Sequence, residues 1–287
     1  MFRRQCLYVF SLMGSIGLLQ SQDVSDKDLQ QESEAYMRDE LGVNDITAPS
    51  IAQVLKDLGL FQPVPMDIIA ENPRDVVFDN RLQTSLHFGG LVADGFVMTI
   101  AQRTPEVQDI GRALIRQSRA LGVGDRLTKR SKSLLDLSDK GDWQGMREEL
   151  VRTQADVEKA MLDLRDEQMA HMISLGGWLR GFQIAANQCA KTYNPDRAKV
   201  LGRFEIMDYY ADRLNTLHPR LKKTEFVSTL ITKLQALREI SASTTGRSPS
   251  EAEVKQMRDL ANQMEAITIG PVDPDGRISP AAPTKNL

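Results

Sequence analysis

Residues 142–189 read DWQGMREELVRTQADVEKAMLDLRDEQMAHMISLGGWLRGFQIAANQC, and their periodicity decides the fold class. Trp143, Met146, Leu150, Val157, Met161 and Leu164 recur at steps of three, four or their sums, the rhythm of one buried helical face. After a weak break near Asp166, Met169, Met172, Leu175, Leu179, Phe182 and Ala186 repeat it. The spacing predicts two long amphipathic helices. Within the second lies Gly176-Gly177-Trp178-Leu179-Arg180-Gly181. Glycine costs about 1 kcal/mol against alanine inside a helix. Three glycines in so short a run predict a seam where two backbones pass close.

The same rhythm continues on both sides. Leu82, Leu86, Gly89, Ala93, Phe96 and Ile100 form a stripe that starts at Asn80 and ends before Pro105. A helix from about Glu106 carries Val107, Ile110, Leu114 and Leu121 and stops at Gly122. Asp125 caps another with Leu127, Leu134 and Leu137, closed by Gly141. Upstream, Thr47-Ala48-Pro49-Ser50 is a helix start, Phe61 to Pro65 is extended, and Met66 to Phe78 is a short turn and loop broken at Pro73. Downstream, Asn194-Pro195 opens a helix through Val200, Phe204, Met207, Ala211 and Leu214 that stops at Pro219, where His218 faces the negative end of the helix dipole. Thr224 caps the next helix, which carries Val227, Leu230, Ile231, Leu234 and Leu237. Ser241 to Arg247 reads as a linker, and Ser248-Pro249-Ser250-Glu251 as a capping box for an amphipathic helix with Val254, Met257, Leu260 and Met264. Gly270 to Leu287, with four prolines, reads as a disordered tail. No stretch alternates as a strand would, and no period from 30 to 47 residues repeats. The expected architecture is all-α: an irregular single-domain bundle of about eight helices over residues 47–240, then a linker and helix over 241–268 and a tail over 269–287.

Composition agrees: 41% hydrophobic and 26% charged residues suit a globular chain, and the low 6% of aromatics favours helix over strand. Arg3 and Arg4 followed by the apolar run Cys6–Leu19 read as a bacterial secretory signal over residues 1–21, too short to span a membrane. Its removal would leave Cys189 as the sole cysteine, without a disulfide, as a buried small hydrophobe. Residues 22–46 are acidic, with eight Asp or Glu against Lys27 and Arg38.

Candidate chemistry is sparse. His87 and Asp94 share one helical face two turns apart and could flank a polar pocket or serve an enzyme; in the plainer reading His87 bonds a carbonyl and Asp94 pairs with an arginine from a neighbouring helix. Asp163, Glu167 and His171 lie at steps of four, but a di-iron bundle would want Glu-x-x-His on two helices. There is no nucleophile elbow, phosphate-binding glycine loop or nucleic-acid-binding motif. Arg112, Arg116, Arg119, Arg126, Lys129, Arg130 and Lys132 accumulate against Asp125 alone, a face for an anionic or protein partner in the cell envelope, an internal partner of the acidic segment, or a solvated surface. Trp178 beside the glycine seam, with Phe182 and Phe96, marks either plain core or an apolar pocket. The sequence points to a periplasmic or secreted, non-catalytic binding protein without metal or cofactor. An apolar-ligand binder and an enzyme using His87 and Asp94 are the alternatives.

Overall fold

The computed structural model describes residues 66–70 and 72–279. The expected signal segment, the acidic segment, the helix start at Thr47 and residues 280–287 lie outside them. The described chain is all-α, as the periodicity required. Its elements are α1 (Met66–Ala70), α2 (Arg81–Ile100), α3 (Thr104–Ala120), α4 (Gly124–Asp139), α5 (Trp143–Asp163), α6 (Glu167–Lys191), α7 (Pro195–Ala198), a 3₁₀ turn (Lys199–Gly202), α8 (Phe204–Thr216), α9 (Pro219–Lys222), α10 (Glu225–Ser243) and α11 (Glu251–Ile269). Eight of these have 13 residues or more.

α2 and α6 form the centre. They make the most extensive contact among the described elements; α3, α4 and α5 pack in sequence on one flank, and α11 lies on α6 with α10 and α8 beyond it. The glycine seam is the α2–α6 crossing. A Cβ on Gly176 would stand 1.9 Å from the Leu86 carbonyl oxygen, and one on Gly89 would stand 2.0 Å from the Ile173 oxygen. Neither helix is amphipathic over its central part. Residues 82–95 of α2 and 175–186 of α6 are buried at every position. The apolar stripes read from sequence are therefore only one side of helices surrounded by protein. Any polar side chain in those spans is internal and needs a partner.

Local chemistry sets the ends. The side chain of Asn80 accepts the Gln83 N–H at 3.1 Å and that of Asp142 accepts the Gly145 N–H at 2.9 Å, so both cap helix N-termini. Gly122 (φ 84°) and Gly141 (φ 65°) take the left-handed conformation that turns α3 into α4 and α4 into α5.

Several boundaries depart from the sequence reading. Leu164 is not on a buried face: α5 ends at Asp163 and Arg165 turns to φ 56°, leaving Leu164 58% exposed. Asn194 does cap a helix, accepting the Asp196 N–H at 2.9 Å, but it lasts one turn before the 3₁₀ segment and the non-helical Arg203 interrupt it. His218 caps an N-terminus instead of a C-terminus: its Nδ1 accepts the Arg220 N–H at 3.2 Å at the start of α9. The capping box forms two residues later than expected, between Ser250 and Glu253, with Pro249 ahead of the cap. The linker starts later too, since α10 runs through Ser243. Nor is α11 a separable unit, because Val254, Met257, Ala261 and Met264 are buried in the common core.

Within the tail expected from residue 269, residues 270–279 are held against the helices. The Phe226 N–H donates to the Gly276 carbonyl at 2.9 Å, Gln83 Nε2 donates to the Gly270 carbonyl at 2.6 Å, and Val272 and Ile278 form an antiparallel bridge. A proline-rich composition discourages helix without preventing a segment from being pinned to helices already in place.

Candidate functional site: a polar cleft over a buried arginine

Arg180 is 1% exposed in the middle of α6. Burying a guanidinium is tolerated only when its donors are matched, and here the matching is extensive. Nε donates to Asp94 Oδ1 at 2.7 Å, Nη2 to the Ile68 carbonyl at 2.9 Å and to Asp94 Oδ2 at 3.4 Å, and Nη1 to Gln183 Oε1 at 2.5 Å. Glu265 of α11 adds a second carboxyl 3.5 Å from Nη1. On the far side, Asn72 Nδ2 donates to Asp94 Oδ2 at 2.6 Å, and Asn72 Oδ1 lies 3.1 Å from His87 Nε2. The network thus ties α1 and its following loop to α2, α6 and α11.

His87 and Asp94 are therefore joined, as their shared face allowed, but by Asn72 and not across an open pocket. Both are fully buried. Burial lowers the His87 pKa to about 4, with the Pro73 carbonyl opposing and Arg180 adding to the effect, so the ring is neutral at physiological pH. Asp94 pairs with an arginine from a neighbouring helix, the plainer of the two sequence readings.

From Arg180 a second row of polar groups leads outward. Asn262 Oδ1 of α11 accepts from Gln183 Nε2 at 3.0 Å and from Asn187 Nδ2 at 2.8 Å. Arg180, Gln183, Asn187 and Lys191 fall at steps of three and four along α6, facing Arg258, Asn262 and Glu265 along α11. Between these two stripes lies a cleft of about 480 Å³, with Asp67 and Ile68 of α1 at its Arg180 end. Its volume is that of a small-molecule site. Burial raises the Glu265 pKa, with Arg180 opposing and Asp94 reinforcing, so this acid holds its proton more readily than a free one.

The other candidates have different surroundings. Arg112 pairs with Asp109; Arg116 donates to Asp75 at 2.9 Å and to the Arg74 carbonyl at 2.6 Å. Arg130 donates to Asp156 at 2.7 Å and lies 3.4 Å from Glu149. Arg119 is exposed at the end of α3. The side chains of Arg126, Lys129 and Lys132 lie outside the described part, as does the acidic segment 22–46. The acids that engage this face within the described residues come from its own neighbourhood. Trp178 is buried, 5.3 Å ring to ring from both Phe182 and Tyr210. Cys189 is buried, and desolvation pushes its thiol to about 11. Asp163, Glu167 and His171 do not converge, and among the described residues no group of three or more His, Cys, Asp or Glu could hold a metal ion.

Sequence reasoning quoted Arg180 among the glycines and passed over it. It also missed Asn72, Gln183, Asn187, Asn262 and Glu265. For Arg180, Gln183 and Asn187 the signal is the spacing 180, 183, 187, 191 of polar side chains inside a largely apolar run; Asn72, Asn262 and Glu265 join them only through the fold. Comparison with protein-family models, curated proteins and solved structures returns no match. Among the described residues no helix is long and apolar enough to cross a membrane.

Proposed function

We propose that the protein is a non-catalytic binding protein, exported to a bacterial envelope, that holds a small polar ligand in the cleft between α6 and α11. The observation that carries this reading is the cleft itself: about 480 Å³, walled by side chains fixed to one another by hydrogen bonds and floored by a buried guanidinium. Such groups are pre-organised, so a ligand would meet donors and acceptors already in position. The same packing argues against catalysis by His87 and Asp94, since each is committed to Asn72 and neither borders the cleft. Export rests on Arg3, Arg4 and the apolar run Cys6–Leu19.

Native mass spectrometry of the protein purified from the envelope of its bacterial host tests both parts. The expected spectrum shows a polypeptide short of its leader, carrying extra mass that leaves on denaturation. Ala266 is exposed on the cleft wall, so Ala266→Trp fills the space without entering the core. That variant is expected to lose the extra mass. A bare wild-type chain, or extra mass unaffected by Ala266→Trp, counts against the cleft; retention of the leader counts against export.

A further inference from the structure

The charges along the cleft are sorted by position. Arg180 meets Glu265 while Gln183 and Asn187 meet Asn262, so α6 and α11 run antiparallel along the cleft. One end therefore carries the carboxyls of Glu265 and Asp67, and the other the cations of Lys191 and Arg258. Amide side chains fill the middle. At the acidic end one guanidinium faces two carboxyls, Asp94 and Glu265, with Asp94 taking the shorter contacts. Glu265 is thus the carboxyl with interaction to spare. At the basic end Arg258 donates to Asp259 at 2.7 Å, which leaves Lys191 as the principal cation.

Resting on the cleft as the binding site, we propose that its ligand is a short peptide with free termini, its ammonium group at Glu265 and Asp67 and its carboxylate at Lys191. Glu265 lies against Arg180, and Lys191 is eleven residues, about three turns, further along α6, a separation of about 16 Å. An extended chain advances about 3.3–3.6 Å per residue, so roughly four to five residues fit. Side-chain amides both donate and accept, as Gln183, Asn187 and Asn262 must to satisfy peptide groups along such a ligand. An ammonium beside Glu265 also supplies the positive charge that the acidic end lacks when both its carboxyls are ionised.

Isothermal titration of the full chain with tetraalanine, N-acetyl-tetraalanine, tetraalanine amide and the doubly blocked peptide tests this. Tetraalanine is expected to bind, and each single block to weaken binding by roughly tenfold or more. In Glu265→Gln the penalty for acetylation is expected to shrink while that for amidation stays; in Lys191→Met the reverse. Asp67 is exposed, so Asp67→Asn gives a second reading of the acidic end that does not touch the core. Equal binding of free and doubly blocked peptides would overturn the dipolar assignment and leave the polar cleft standing, provided Ala266→Trp abolishes both. Swapped variant effects would overturn the orientation. Failure of every peptide would overturn the inference, and the native mass spectrum then decides the cleft separately.

Discussion

At the scale of the residue, the centre of gravity is the pair Arg180 and Asp94. Their side chains are 1% and 0% exposed, and the guanidinium is also bonded to the Ile68 carbonyl and Gln183. Taking away one member strands the other as a buried charge, which costs about 3–5 kcal/mol. Replacing both by apolar groups removes the stranded charge as well as the bond. Asp94→Leu and Arg180→Met are therefore each expected to lower unfolding stability by about 3–5 kcal/mol, and the double variant to lose clearly less than their sum. Urea unfolding of the four proteins checks it; additive losses would mean that the two residues act independently despite their 2.7 Å contact. Arg180→Met also removes the partner of the Ile68 carbonyl and Gln183 and the counter-charge of Glu265. Asp94→Leu leaves the guanidinium beside Glu265, so the loss in Arg180→Met is expected to be the larger of the two. Asp94 was visible in the sequence as a polar residue on an apolar stripe. Its arginine was not chosen, because an arginine at helical spacing ordinarily faces solvent and nothing local reveals that the centre of α6 is surrounded by protein.

At the scale of the element, the α2–α6 crossing sets where everything else lies. Gly176 and Gly89 sit where an added methyl group would overlap a carbonyl oxygen of the opposite helix. Alanine would favour each helix by about 1 kcal/mol on propensity, yet the helices must move apart to admit it, loosening the packing around the crossing. Gly176→Ala is expected to destabilise by about 2–3 kcal/mol in spite of the propensity gain. Gly111, within α3, has open space where its Cβ would go, and Gly111→Ala is expected to stabilise by about 0.5–1 kcal/mol. Thermal unfolding of the two variants in opposite directions is the outcome required; a stabilising Gly176→Ala would refute close packing at the seam. Glycine clusters, caps and apolar spacing are local marks of structure, and that is why the seam and most helices were legible. The exceptions had a common origin. The one-turn α7, the cap at His218 and the late capping box at Ser250 each turn on backbone angles of one or two residues, where several registers satisfy the same motif. The ordering of residues 270–279 depends on Phe226, Gln83 and Asn80, far away in sequence.

For the whole molecule, burial of ionisable groups sets how stability follows pH. Burial lowers His87 and His171 from 6.5 to about 4, Arg180 and Arg213 respectively adding to the effect. Glu158, on α5 beside Gln154 at 2.8 Å, is raised by burial from 4.5 to about 7. The two kinds of group act with opposite sign. Below pH 6.5 the unfolded chain takes up histidine protons that the folded chain refuses until about 4, so stability falls as the pH drops through that window. Above 4.5 the unfolded chain gives up the Glu158 proton that the folded chain keeps until about 7, so stability falls as the pH rises through that window. The two windows overlap and two histidines outweigh one glutamate, so these three groups together raise stability as the pH climbs from about 4 to about 6.5 and leave it nearly level from about 7 upward. Glu158→Gln removes the opposing contribution, since glutamine cannot ionise and its Oε1 still accepts from Gln154. The variant is expected to gain on the wild type between pH 5 and pH 8 by on the order of 2–3 kcal/mol, each pKa unit being worth about 1.4. Urea unfolding of both proteins across that range measures the difference. Parallel profiles would show that Glu158 titrates alike in the folded and unfolded chains, and that water reaches its carboxyl in the folded protein.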